Sequence, residues 1–154
     1  MKSGNHSMTQ EVGRLADIIL VLQRCFMRNL SERLAPGRVS FPQYFLLAHI
    51  AATDRVSMGE IAGIMRHSTP AATGLVGRLE ALGYVRRESS PLDRRKIMVA
   101  ITHKGGRLVS TIRQDIVNNL GLLMEQLTET ERRAWLRIYE KIYGHCARKP
   151  KPQS

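Results

Sequence analysis

Cysteine is scarce in this chain of 154 residues: Cys25 and Cys146 are the two present, far apart and in no C-x-x-C pair. That excludes a disulfide framework and a zinc finger and suits a reducing, cytoplasmic setting. Acidic charge is also short, with 13 Asp and Glu against 24 Lys and Arg. No apolar run approaches the roughly 18 to 20 residues that span a bilayer, and no signal-peptide pattern opens the chain, so no membrane role is expected. Equally missing are a glycine-rich phosphate loop, a nucleophile elbow and any catalytic dyad suggested by spacing. Their absence argues against an enzyme and leaves no cofactor to expect. His6, His49, His67, His103 and His145 are scattered with no H-x-x-x-H pair, so no metal site is expected either.

What is present is positive charge and helical periodicity. A net charge of +11 gives the surface a field suited to nucleic acid or an anionic membrane. The charge is concentrated. Between Arg66 and Arg107 stand nine basic residues (Arg66, Arg78, Arg86, Arg87, Arg94, Arg95, Lys96, Lys104, Arg107) against three acidic ones (Glu80, Glu88, Asp93). Counterion release on phosphate binding grows with the number of cations facing the backbone, so this clustering favours nucleic acid. Length and a hydrophobic fraction of 43% allow one respectable core.

Val12, Leu15, Ile18, Ile19, Leu22, Phe26, Leu30 and Leu34 recur at spacings of three and four, which predicts a long amphipathic helix ending at Pro36-Gly37. A second helix follows Pro42 and carries Phe45, Leu46, Leu47, Ile50 and Ala51. Ser57-Met-Gly-Glu60 reads as a capping box opening a third. Thr69 with Pro70 opens a fourth, which packs through Ala72, Leu75, Val76, Leu79 and Leu82 and closes at Gly83. Tyr84–Glu88 and Ile97–Ile101 read as two strands of a hairpin whose tip is basic, with Ile97, Val99 and Ile101 forming the more apolar face. Thr102 caps a fifth helix along Leu108, Ile112, Ile116, Leu120, Leu123 and Leu127. A second capping box, Thr128-Glu-Thr-Glu131, starts a sixth.

Two short helices joined by a tight turn and followed by a basic hairpin make a winged helix-turn-helix. The fold class expected is therefore mainly α with a small β-hairpin wing and flanking N- and C-terminal helices. The second helix of the pair would enter the major groove, facing bases through Ser68, Thr69, Ala71 and Thr73, whose small side chains permit close approach. Arg78, farther along and away from the apolar face, suits a phosphate. Arg94, Arg95 and Lys96 of the wing would reach an adjacent minor groove, with Asp93 orienting an arginine by a charged hydrogen bond.

The run Ser68–Arg87, followed by Asp93–Gly105, closely resembles the MarR family of bacterial transcription regulators. The resemblance covers the helix order from about residue 10 to 146, and its most specific element is Asp93-x-Arg95 ahead of Thr102-x-x-Gly105. It implies a homodimer with interlocking N- and C-terminal helices and a DNA-binding lobe on each subunit, and it makes Arg95 the minor-groove arginine held by Asp93. Gly74 departs from the family pattern, which commonly carries a basic or larger polar residue there.

Dimerisation also follows from the residues alone. The first, fifth and sixth helices each carry a wide apolar stripe, more than a small central lobe can cover. A two-fold dimer would require double-stranded DNA with a pseudo-palindromic operator, its half-sites about 10 bp apart. The expected layout is a tail or expression scar at 1–8 and a single chain at 9–147, ending in a disordered basic tail at 148–154. Within that chain, 9–35 and 103–146 would dimerise around a winged-helix lobe at 40–102.

The resemblance further implies a repressor released by a small aromatic or lipophilic effector. Phe26, Tyr44, Phe45, His49 and Arg87 are the candidates to line such a site, against the plainer reading that they are core residues. Cys25, flanked by Arg24 and Arg28, is the candidate for a redox-sensing alternative, against an inert, half-buried thiol. A protein-interaction module whose basic wing meets an acidic partner is the alternative to DNA binding.

Overall fold

The structure is a computed structural model that describes residues 3–65, 69–89 and 96–147, with side chains described for 7–65, 70–89 and 96–146. The chain divides into two compact units, Met1–Ile112 and Arg113–Ser154. The first contains helix α1 (Ser3–Leu34), a 3-10 turn (Ala35–Gly37), α2 (Phe41–Thr53), strand β1 (Arg55–Ser57), α3 (Met58–Met65), α4 (Thr69–Ala81), β2 (Val85–Ser89), β3 (Ile97–Ile101) and the start of α5 (His103–Glu125). The second holds the rest of α5 and α6 (Glu129–Ala147). The architecture is thus mainly helical with a small β wing. No helix among the described residues is long and apolar enough to cross a membrane.

The helix starts marked by the two capping boxes are where the sequence signals place them. Glu60 Oε2 accepts from Ser57 N (2.8 Å) and Ser57 Oγ (2.7 Å), and Glu131 Oε2 accepts from Thr128 N and Thr128 Oγ1, both at 2.8 Å. These are reciprocal caps that satisfy N–H groups left over at a helix start. The hydrogen bond from the Ser57 side chain, then that from its backbone, holds the Glu60 carboxyl below its ordinary range. Glu131 is lowered in the same way by Thr128, the backbone bond leading. A third box is present at Ser40, whose N and Oγ donate to Gln43 Oε1 at 2.8 and 3.0 Å. Its S-x-x-Q pattern is the same local signal, with Pro42 inside it in the first turn of the helix.

The core lies in the first unit. Leu46, Leu47 and Ile50 of α2, Ile61 of α3, Ala72, Val76 and Leu79 of α4 and Val99 of β3 are fully buried. Leu30 and Leu34 at the end of α1 and Ile112 of α5 are buried as well.

Three expectations need correction. The sheet has three strands, not two, in the order β1-β3-β2 and antiparallel throughout, with Val56 and Arg87 both opposite Val99. β1 is three residues long, too short to show any alternation, and only its buried Val56 betrays it. The alternation in β3 is not the expected one either, since Ile97 is half-exposed while Val99 and Ala100 are both buried. Ala100 stands opposite Arg55 and Arg86, which flank Glu88 in ion pairs of 3.4 and 3.3 Å. Long arginine stems cover a small side chain in that way. Finally, α1 begins at Ser3, so residues 3–8 are helix and not tail.

Candidate nucleic-acid interface

Helix α4 presents two unlike faces. Ala72, Val76 and Leu79 point into the core, whereas Pro70, Ala71, Thr73, Gly74 and Arg78 are exposed. The exposed face opens with small residues, which suits a helix that must approach another surface closely. A Cβ added at Gly74 or at Gly77 would meet nothing within 4 Å, so packing requires neither glycine.

The wing is anchored to α4 and α5 through one glycine and one threonine. Thr102 N donates to Tyr84 O at 3.0 Å, Thr102 Oγ1 donates to Gly83 O at 2.7 Å, and Gly105 N donates back to Thr102 Oγ1 at 3.1 Å. A Cβ on Gly105 would stand 2.2 Å from Tyr84 O, so the close approach of α5 to the strand requires glycine. Gly83 itself takes φ +75° as α4 ends, the left-handed cap expected of it. Tyr84 Oη donates to Gly37 O at 3.0 Å, tying the turn before α2 to the same junction.

The positive charge divides into two groups that a count of residues does not distinguish. Arg87 pairs with Glu80 at 3.3 Å, and its N–H donates to the same carboxylate. Arg86 pairs with Glu88 and donates to Ile101 O at 3.3 Å. Lys104 donates to Leu82 O at 2.7 Å and lies over the Tyr84 ring at 4.8 Å, closing α4 with a cation. These three hold the lobe together. Arg78, Lys96 and Arg107 are exposed and without ion-pair partners among the described residues. Of the other residues expected at the interface, Ala71 and Thr73 are on the exposed face of α4, and Thr69 is its first residue. Ser68, Asp93, Arg94 and Arg95 lie outside the described residues.

Of the residues expected to line an effector site, Tyr44, Phe45 and His49 share helix α2, with His49 partly buried, while Phe26 is on α1 and Arg87 on β2. Phe26 of α1 and Phe45 of α2 are about half-exposed, Tyr44 is partly buried with its hydroxyl pKa raised by that burial, and Arg87 is held by Glu80. Cys25 is exposed, not half-buried, because this stretch of α1 has no neighbour within the lobe to cover it. Among the described residues, no three His, Cys, Asp or Glu gather as metal ligands.

Sequence reasoning passed over Arg38. It follows the 3-10 turn with φ 56° and ψ 33° and lines a hollow of about 520 Å³ with Ser40, Gln43, Arg78 and Leu82. The Pro36-Gly37 punctuation just ahead of it was the signal available.

A model of the MarR family matches residues 39–96, the span from α2 through β1, α3, α4 and β2 to the threshold of β3. The chain is 31% identical over 108 residues to an HTH-type transcriptional regulator of Mycobacterium leprae, covering 70% of this chain and 75% of that one. Among solved structures, a MarR family protein from Bacillus stearothermophilus aligns with a TM-score of 0.81 at 18% identity, over 91% of this chain and 98% of the other. The MepR–DNA complex of Staphylococcus aureus aligns at 0.71 and 18% identity, over 85% and 98%.

Proposed function

The chain belongs to the MarR family of winged helix-turn-helix, DNA-binding transcription regulators, and from that premise we propose that it works as a homodimer on a pseudo-palindromic operator, as a repressor released by a small aromatic or lipophilic ligand. The observation that carries the DNA-facing part is α4, whose exposed face joins small side chains at its start to Arg78, which has no ion-pair partner among the described residues. MepR, which shares the fold, is known in complex with DNA. In this reading Ser68, Thr69, Ala71 and Thr73 meet base edges, Arg78 meets a phosphate, and Arg95, oriented by Asp93, enters the minor groove with Arg94 and Lys96 beside it.

The dimer is supported by apolar surface that the single chain leaves bare. On α1, Val12, Leu15, Ile19, Leu20, Val21 and Leu22 are each more than half exposed. Leu122 and Leu123 of α5 and Leu136, Ile138, Tyr139, Ile142 and Tyr143 of α6 are as well. Patches of this extent mark an interface, and a second copy of the same chain covers them in a closed two-fold arrangement.

The test is anisotropy with a duplex selected from a random pool and with an unrelated duplex, each across a salt series. Arg95→Ala should weaken both by a similar factor, because a wing arginine senses groove shape and potential. Thr73→Ala should alter sequence preference more than overall affinity. A chain with no salt-dependent duplex affinity would overturn the assignment in favour of a protein-binding wing.

A further inference from the structure

Arg38 takes the left-handed position that closes the 3-10 turn, where its N–H donates to Ala35 O at 3.0 Å and Val39 N–H donates to Leu34 O at 3.4 Å, a helix end that glycine more often supplies. Its φ of 56° lies in the left-handed region, where any Cβ crowds the following carbonyl and glycine is the undemanding choice. The chain's glycine stands one position earlier, where a Cβ on Gly37 would lie 3.0 Å from Tyr84 Oη. The Arg38 side chain is exposed and has no ion-pair partner among the described residues. The helix end accounts for that backbone, so the role of the exposed side chain is decided by what it faces.

The surroundings of Arg38 show what that side chain faces. Arg78, likewise exposed and unpaired, lines the same hollow, and no carboxylate does. Gln43 lines it too and is only 4% exposed. Ser40 N–H is an unambiguous donor to the Gln43 side chain, which fixes the amide oxygen on that side and turns its NH₂ away. No described residue accepts from that NH₂. The first turn of the 13-residue helix α2 adds its positive end. Two arginines, an amide donor and a helix start line this hollow with no carboxylate among the described residues that border it, and a tetrahedral oxyanion can accept from all of them.

We propose that this hollow binds one phosphate of the DNA backbone between Arg38 and Arg78, making Arg38 a DNA contact outside both the recognition helix and the wing. The proposal rests on the DNA-binding reading above, and the shared chemistry is that of any phosphate, so the test separates the sources.

Full-length Arg38→Gly, Arg38→Lys, Arg78→Gln and the Arg38→Gly/Arg78→Gln double variant are titrated with a labelled random-sequence duplex between about 50 and 200 mM salt, and Tm is recorded with and without inorganic phosphate. Arg38→Gly should raise Tm by relieving the left-handed strain, yet weaken binding to every duplex alike and flatten the plot of log K against log salt by about 0.9 for each hollow engaged. Arg38→Lys should recover most of the slope. The double variant should lose little more slope than either single one, because both cations serve one phosphate. A wild-type slope in Arg38→Gly overturns the proposal, and so does an additive slope loss in the double variant. An unchanged slope together with a phosphate-dependent rise in Tm that Arg38→Gly abolishes makes the occupant a free anion, which also overturns the backbone assignment. If the wild-type chain binds no duplex, the DNA-binding reading and the backbone assignment fall together. The hollow itself is then decided by inorganic phosphate, where no rise in wild-type Tm removes it as an anion site.

Discussion

The lobe core and the long helix α1 are written in the same pattern, apolar residues every three or four positions, yet they end differently. Leu46, Leu47, Ile50 and Ile61 are 0% exposed, whereas Leu15, Ile19 and Leu22 are 56%, 51% and 58% exposed. Within α1 itself the division falls near its end, where Leu30 and Leu34 are 4% and 1% exposed. Periodicity states that a face must be covered and is silent on what covers it. In the lobe the chain supplies its own cover; along most of α1 it does not. The bare stretch is therefore better explained by a second copy than by a weak core.

The largest effect should come from breaking the uncovered face. Ile19→Asp with Leu123→Asp should raise the dimer dissociation constant at least about a hundredfold, since charges would be buried at an interface centre. The lobe should keep its fold. Light scattering for mass and circular dichroism for helix content check this, and a variant that stays dimeric would shift the interface elsewhere. Next in size is the covered face: Ile61→Ala should cost about 2 to 5 kcal/mol by leaving a cavity among α2, α3 and α4, read from urea unfolding.

Gly105→Ala should follow, at about 1 to 3 kcal/mol, because α5 must withdraw from Tyr84 O or distort the wing to admit the methyl group. Its unfolding midpoint, set beside that of Gly106→Ala, isolates the effect, since a Cβ at Gly106 meets nothing within 4 Å. The smallest change should be a gain. Gly74→Ala adds roughly 0.5 to 1 kcal/mol to α4, and its new methyl group stands on the face assigned to DNA. Stability should rise while operator affinity changes, and a rise in stability with unaltered binding would take Gly74 out of the interface.

Acidification sharpens the comparison from another side. Glu60 and Glu131 have folded pKa values lowered by their capping bonds, so their contribution is complete above the ordinary carboxylate range and lost as pH falls through the lowered folded values. Ser57→Ala should remove the share of this acid sensitivity that belongs to α3, measured as the slope of unfolding free energy against pH.

Much of this was legible in the sequence because its signals are local. Ser57 with Glu60 and Thr128 with Glu131 each state a helix start within four residues, and Gly83 states a helix end. The order of helices and the two longer strands followed. What escaped depends on contacts distant in sequence. β1 is defined only by its pairing with β3, and Ala100 is buried opposite Arg55 and Arg86, cross-strand neighbours that no local pattern announces. The charge count misled for the same reason: Arg86, Arg87 and Lys104 find partners that no spacing announces, which among the described residues leaves Arg78, Lys96 and Arg107 for a polyanion. Arg38 was marked only by the Pro36-Gly37 break ahead of it, which states a helix end but not that an arginine takes the left-handed position.

The central claim is that two copies of this chain hold one duplex mainly through phosphate contacts. The most direct test is the mass of the protein–duplex complex by light scattering, joined to its dissociation constant across salt. Two chains per duplex are expected, with affinity falling by about 10³ to 10⁵ between 50 and 200 mM salt if six to ten phosphates are engaged. One chain per duplex, or an affinity indifferent to salt, would contradict it.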